Sequence, residues 1–229
     1  MTKTAFVFIN GNFGQLDFVK ELIEEDDLII GCDGGVDRVY ELGLKPNMVV
    51  GDLDSAKNIP REIKSIKPNK EEYRIVNNIK YYIFPTDKYF LDTELAIDKA
   101  LEQKPDKVII INPNGDELDH VVGTLFLLSK QKYLEKDIKT ITHNQIIYYK
   151  GTGFKLNGKI GDKVSLMPIN GEVSVKESTG LKYDPAVNEM HMQVNSGISN
   201  QLTNTEASVN IESGGFLVFQ HQSPTKDNI

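Results

Sequence analysis

The chain has 229 residues, 39% hydrophobic and 26% charged, with a formal net charge of −7 and a single cysteine. That length suits one large domain or two modest ones, and the composition is that of an ordinary soluble globular protein able to bury a sizeable core. The acidic balance argues against a nucleic-acid binder, the lone Cys32 excludes an internal disulfide and fits a reducing cytoplasm, and no apolar run approaches the roughly 18 residues of a membrane span.

The apolar run Ala5–Ile9 is too short for a secretory segment and leads into Asn10-Gly11-Asn12, so it reads as the first strand. Leu16, Val19, Leu22 and Ile23 follow at helical spacing, and a strand is predicted at Leu28–Cys32. Val36, Val39 and Tyr40 mark a second helix closing on Gly43. Met48–Val50 is the third strand. The polar, Lys-rich stretch Pro60–Lys80 predicts one helix and a loop. Strands at Tyr81–Phe84, Val108–Ile111 and Ile138–Thr142 then alternate with helices over Thr93–Glu102 and Leu118–Ser129, the pattern of βα units around a parallel sheet.

Beyond residue 142 the helical period fades. Short β-type runs remain at Gln145–Tyr149, Lys163–Met167, Glu172–Val175, Met190–Val194, Ala207–Ile211 and Phe216–Gln220, separated by Gly, Asn and Pro. The expected architecture is an α/β domain with a parallel sheet and Rossmann-like layers over residues 1–142, followed by a smaller all-β sandwich or barrel over 143–229. Residues 1–140 hold 19 basic and 25 acidic side chains, against seven and eight in 141–229, so the acidic excess sits in the α/β half. The tail Ser223–Ile229 is expected to be loose.

In an open parallel sheet, ligands bind outside the carboxyl ends of the strands. There the sequence places Asp33-Gly34-Gly35, then Gly51-Asp52-Leu53-Asp54-Ser55, then Pro85-Thr86-Asp87-Lys88 with Asp92, and finally Asn112-Pro113-Asn114-Gly115 with Leu118-Asp119-His120 beyond. Asp52 and Asp54 point the same way if extended geometry persists, and two hard oxygen ligands on one face suit magnesium and phosphate-bearing substrates. The glycines after Asp33 permit close approach of backbone N–H groups to an anion. Singly, each group has a plainer reading: Asp92 as an N-cap, Asp33-Gly34 as a turn, Lys88 as a solvated charge, His120 as a buried, hydrogen-bonded histidine. Jointly, their placement points to a shared phosphate and metal ligand. Neither GxxxxGK[ST] nor GxGxxG occurs, so phosphates must be held by metal-bound carboxylates, Lys88 and backbone donors.

These segments, with Leu44-Lys45-Pro46 at its spacing, Gly180-Leu181-Lys182-Tyr183 and Gly197-Ile198-Ser199-Asn200, resemble the thiamine pyrophosphokinase family over nearly the whole chain. The resemblance implies transfer of a pyrophosphoryl group from ATP to the thiamine hydroxyl, giving thiamine diphosphate and AMP. It also implies magnesium as cofactor and a cytoplasmic homodimer. Asp52, Asp54 and Asp92 match metal-binding carboxylates, with Lys88 beside them in the catalytic set. Asp33, Gly34, Gly35, Ser55, Asp119 and His120 match ATP-facing segments, and Ser199 and Asn200 match positions near thiamine.

The sequence departs from the family pattern twice. The usual KDxTD is Lys88-Tyr89-Phe90-Leu91-Asp92, and the usual GGRLDH is Gly115-Asp116-Glu117-Leu118-Asp119-His120. A reversed charge at Glu117 weakens polyphosphate binding in proportion to its burial. These departures keep two alternatives open: a diphosphokinase for another small alcohol such as a hydroxymethyl pterin, and a nucleotide- or thiamine-binding homologue that turns over nothing.

Overall fold

The computed structural model describes residues 3–11, 16–111, 117–194 and 196–229. The chain divides into two compact units: Met1–Thr124 with Thr140–His143 and Thr225–Ile229, and Leu125–Lys139 with Asn144–Pro224.

In the first unit the strands are β1 (Thr4–Phe8), β2 (Leu28–Cys32), β3 (Met48–Gly51), β4 (Glu72–Val76), β5 (Ile79–Ile83), β6 (Lys107–Ile111) and β7 (Ile138–Thr142), in sheet order β7-β6-β1-β2-β3-β5-β4. The helices are α1 (Gly35–Glu41), α2 (Arg61–Lys64), α3 (Asp92–Glu102) and the start of α4 (Leu118–Leu127). β1 pairs in parallel with both β2 and β6, Val7 lying opposite Ile30 and Ile110, and β3 pairs in parallel with β2 and β5. Phe6, Val7, Phe8, Ile30, Val49, Val50 and Ile109 to Ile111 are all fully buried. Continuous apolar runs with no polar face are what a parallel sheet covered on both sides requires.

Two expectations change here. Leu16 to Ile23 forms only a short 3₁₀ turn at Asp17–Glu21, and the polar stretch 60–80 contains the strand β4. β4 and β5 form an antiparallel hairpin turned by Asn77 and Asn78, with φ of 53° and 63°. Asparagine tolerates that left-handed region, and two such residues in succession make the tight turn matching strand twist. Glu72, Tyr73, Arg74 and Ile75 hide the strand from a period-based reading because an exposed edge strand carries charges instead of an apolar face.

The second unit contains β8 (Gln145–Lys150), β9 (Phe154–Asn157), β10 (Lys163–Pro168), β11 (Ser174–Thr179), β12 (Asn200–Gln201), β13 (Glu206–Ser213) and β14 (Phe216–Gln220). One group of strands runs β12-β10-β14-β8, with each neighbouring pair antiparallel; the other is an antiparallel three-stranded sheet, β11-β13-β9. Strict alternation in β9 buries Phe154 and Leu156 and exposes Lys155 and Asn157, the signature of a half-buried strand. The run Met190–Val194 is not a strand: His191 makes one isolated bridge to Glu172 and the chain then turns. The strand in the preceding region lies at Ser174–Thr179, shifted from the expected Glu172–Val175. No helix among the described residues is long and apolar enough to cross a membrane.

The tail is not loose. Ile229 is buried, its carbonyl accepts from Lys107 Nζ, and Lys226 pairs with Glu24.

Candidate active site

The carboxyl ends of the parallel strands in the first unit open into a cleft of about 1010 Å³. Asp33 follows β2, and Asp52 and Asp54 follow β3. The strand geometry expected to align the last two does not persist. β3 ends at Gly51, and Leu53 has φ of 62°, in the left-handed region that costs a non-glycine residue about 1 kcal/mol. Leu53 is 2% exposed and belongs to the apolar cluster with Val36, Val49, Ile63 and Tyr81. Burying a leucine contributes about 2 kcal/mol, enough to offset the strained backbone. The turn is therefore pinned inward at Leu53 while Asp52 and Asp54 stay on the cleft side, where Asp52 Oδ1 accepts from the Asp54 N–H at 3.4 Å.

Carboxylate oxygens of Asp33, Asp52 and Asp54 all lie within 4.8 Å of one another. Lys88 faces the same site, its Nζ 3.5 Å from Asp52 Oδ2 and 3.2 Å from Asp92 Oδ1. Asp92 is the first residue of α3 and makes no side-chain cap; Leu91 occupies the N-cap position. Its carboxylate thus belongs to the cleft and to Lys88. Gly51 keeps room for it, since a Cβ there would stand 3.1 Å from Asp92 Oδ1 and 3.2 Å from Asp33 Cβ.

Electrostatics follow from this crowding. Asp33 is raised from 3.8 to about 6, first by burial and then by the neighbouring Asp92, Asp52 and Asp54, against the lowering hydrogen bond from Ser55. Asp92 is also raised, by burial first, with Lys88 working in the opposite direction. Asp33 Oδ1 is buried and accepts no hydrogen bond among the described residues. Four carboxylates around one ammonium, with a buried orphan oxygen among them, fit a hard divalent cation.

The remaining predicted residues divide. Ser55 lines the cleft, but its Oγ donates to Asp33 Oδ2 at 2.5 Å and accepts from the Gly34 N–H at 3.0 Å. That N–H is therefore spent on Ser55. Gly35 is needed for packing: a Cβ would stand 1.9 Å from the Phe8 carbonyl oxygen. His120 is exposed at the start of α4, lines the cleft and lies 3.4 Å from Glu117 Oε2, so it is not the buried histidine of the plainer reading. Asp119 is exposed and accepts from the His120 N–H. Tyr89 is fully exposed, whereas Phe90 and Leu91 line the cleft. The strand-end segment Asn112-Pro113-Asn114-Gly115 and Asp116 lie outside the described residues.

Ser199 and Asn200 belong to the second unit. Asn200 is 1% exposed and acts as a brace: Oδ1 accepts from the N–H groups of Tyr183 and Gln201, and Nδ2 donates to the Tyr183 carbonyl at 2.7 Å. Ser199 has φ of 58°, and its N–H donates to Ser165 Oγ.

Three residues escaped the sequence reading. Asn10 lines the cleft two residues beyond β1, where the strand-end rule applied to the other strands would have found it. Arg38 lines the cleft from α1, its Nη1 2.6 Å from Glu41 Oε2. Asp37, buried, accepts from the Lys57 and Asn58 N–H groups at 2.8 Å each and so holds the chain just beyond the acidic turn. A charged residue in a helix gives no sequence signal for that role.

Residues 19–142 match the family model described as thiamin pyrophosphokinase, catalytic domain, and residues 153–215 match thiamin pyrophosphokinase, vitamin B1 binding domain. A curated relative, thiamine pyrophosphokinase of Bacillus subtilis (strain 168), is 26% identical over 223 residues, covering 95% of this chain and 98% of the relative. The fold is similar to the crystal structure of thiamine pyrophosphokinase from Bacillus subtilis, with a TM-score of 0.76 at 22% identity over 97% of this chain and all of that one. It is also similar to thiamin pyrophosphokinase from Candida albicans, with a TM-score of 0.72 at 16% identity over 97% of this chain and 90% of that one. The catalytic-domain model alone spans more than half of the residues, and the chain belongs to the thiamin pyrophosphokinase family.

Proposed function

We propose that this chain transfers the terminal pyrophosphoryl group of ATP to the hydroxyethyl oxygen of thiamine, yielding thiamine diphosphate and AMP. The observation that carries the reading is the convergence of Asp33, Asp52 and Asp54, with Lys88 and Asp92 beside them, in one cleft of a chain from this family. In the reaction the thiamine oxygen attacks the β-phosphorus, the bond from that phosphorus to the oxygen bridging it to the α-phosphorus breaks, its electron pair leaves on the phosphate oxygen of AMP, and the hydroxyl proton passes to solvent. Phosphoryl-type transfer depends on positioning and on neutralising oxygen charge more than on covalent chemistry.

Asp33, Asp52 and Asp54 would hold magnesium, with Asp92 beside them. Bound there, the ion supplies neutralisation of charge on the polyphosphate oxygens. Lys88, 12% exposed and already shared between two carboxylates, is held in place to face a phosphate oxygen. Arg38 is the other permanent cation among the described residues lining the cleft, and it is assigned to the polyphosphate as well. Residues 143–229 are assigned to thiamine, with Ser199 on the binding segment and Asn200 bracing that segment from within, and a cytoplasmic homodimer is part of the same proposal.

The test is incubation with ATP, magnesium and thiamine, reading AMP and thiamine diphosphate. Equal amounts of both are expected, with turnover lost on adding EDTA and restored by excess magnesium. Absence of both products across pH and metal concentrations overturns the assignment. Magnesium-dependent AMP formation with a hydroxymethyl pterin but not with thiamine would instead move it to the other acceptor.

A further inference from the structure

Ser55 and Asn10 form a clamp that we propose positions Asp33 for divalent-cation binding, making both of them positioning residues and not nucleotide contacts; this rests on the function proposed above. A serine hydroxyl offers one proton and two lone pairs. At Ser55 all three are used: Oγ donates to Asp33 Oδ2 at 2.5 Å, and it accepts from the Gly34 N–H at 3.0 Å and from Asn10 Nδ2 at 3.3 Å. Nothing remains with which it could donate to a phosphate.

Asn10 is oriented in turn, its Oδ1 accepting from the Gly11 N–H at 3.0 Å. The carboxyl ends of β1, β2 and β3 are thereby stapled through one hydroxyl. The consequence falls on Asp33. With Oδ2 tied down, Oδ1 is the buried oxygen without a hydrogen bond, in a carboxylate that shares a 4.8 Å neighbourhood with those of Asp52 and Asp54. Like-charge repulsion would rotate an untethered carboxylate away from that neighbourhood. The tether holds it there before any ion arrives. The packing agrees, because a Cβ on Gly34 would stand 2.6 Å from Ser55 Oγ and 2.8 Å from Asn10 Cγ, so residue 34 must be glycine for the clamp to close.

Groups that orient a metal-binding side chain typically set metal affinity by about 10- to 100-fold. The test uses the full chain with Mn²⁺ as probe, free Mn²⁺ being read by electron paramagnetic resonance without substrates. Ser55→Ala is expected to weaken Mn²⁺ binding about tenfold or more, Asn10→Ala by a smaller factor, and Ser55→Thr, which keeps the hydroxyl, to restore affinity to within about threefold. The magnesium concentration for half-maximal turnover should rise in parallel while KM for thiamine stays fixed. Wild-type Mn²⁺ affinity in folded Ser55→Ala or Asn10→Ala, with folding checked by circular dichroism, overturns the clamp. The ion-binding readout needs no turnover. An inactive wild-type chain whose Mn²⁺ affinity still depends on Ser55 defeats the proposed reaction and leaves the clamp standing.

Discussion

Asp33 shows what one residue can disclose about the whole site. Its carboxyl group is raised from 3.8 to about 6, so the folded chain binds that proton more tightly than the unfolded chain. Its contribution to stability is therefore complete below about pH 4 and is lost as pH rises through about 6. Above that, the metal-free protein carries an unfavourable buried charge. Asp33→Asn should make the metal-free chain about 2 kcal/mol more stable at pH 7 relative to its advantage at pH 4, read by urea denaturation at both pH values. The same substitution should lower divalent-cation affinity. A stability difference that does not change between those pH values contradicts the burial argument. Asp54, exposed on the cleft side, contributes little to folding; Asp54→Ala should cut turnover about 100-fold or more while leaving the thermal midpoint within a few degrees.

At the scale of elements, the acidic turn is fixed from beneath and from beyond. Leu53 anchors it in the core, and Asp37 of α1 accepts from the Lys57 and Asn58 N–H groups just beyond it. Asp37→Ala leaves two donors unsatisfied and should cost about 2–4 kcal/mol, measured as a lowered urea midpoint. In the second unit Asn200 does similar work between β12 and the Tyr183 segment. Asn200→Ala should destabilise the chain by about 2–4 kcal/mol, and a loss of thiamine affinity with unchanged stability would refute the brace. Both residues lay in segments that the sequence singles out, Asp37 beside Asp33-Gly34-Gly35 and Asn200 in the Gly197–Asn200 motif. What they do there depends on which backbone groups come within hydrogen-bonding reach.

For the whole molecule, the informative feature is the return of the C-terminal residues Thr225–Ile229 to the first unit after the chain has built the second. Ile229 is 5% exposed, although no helical or strand period marks it. Ile229→Asp should lower stability by about 2–3 kcal/mol without altering Mn²⁺ affinity, read by thermal denaturation and by metal titration. A surface location for Ile229 would leave stability unchanged. The family models divide the chain in the same region as the sequence pattern, one over residues 19–142 and the other over residues 153–215, and the acidic excess lies in residues 1–140.

By itself the sequence determined the alternation of apolar strands and helices, the all-β character of the second half, and the strand ends bearing Asp33, Asp52, Asp54, Lys88 and Asp92. Those features are local: burial on both faces demands continuous apolar runs, and strand ends follow from where the runs stop. Tertiary structure alone decided that β4 is a strand, that Met190–Val194 is not, and that Asp52 and Asp54 converge through a left-handed turn and not along an extended strand. It alone paired Ser55 with Asp33 and Asn10, residues 22 and 45 positions away. Polar groups carry no periodic signal, and their partners are chosen by which backbones the packed apolar core brings together.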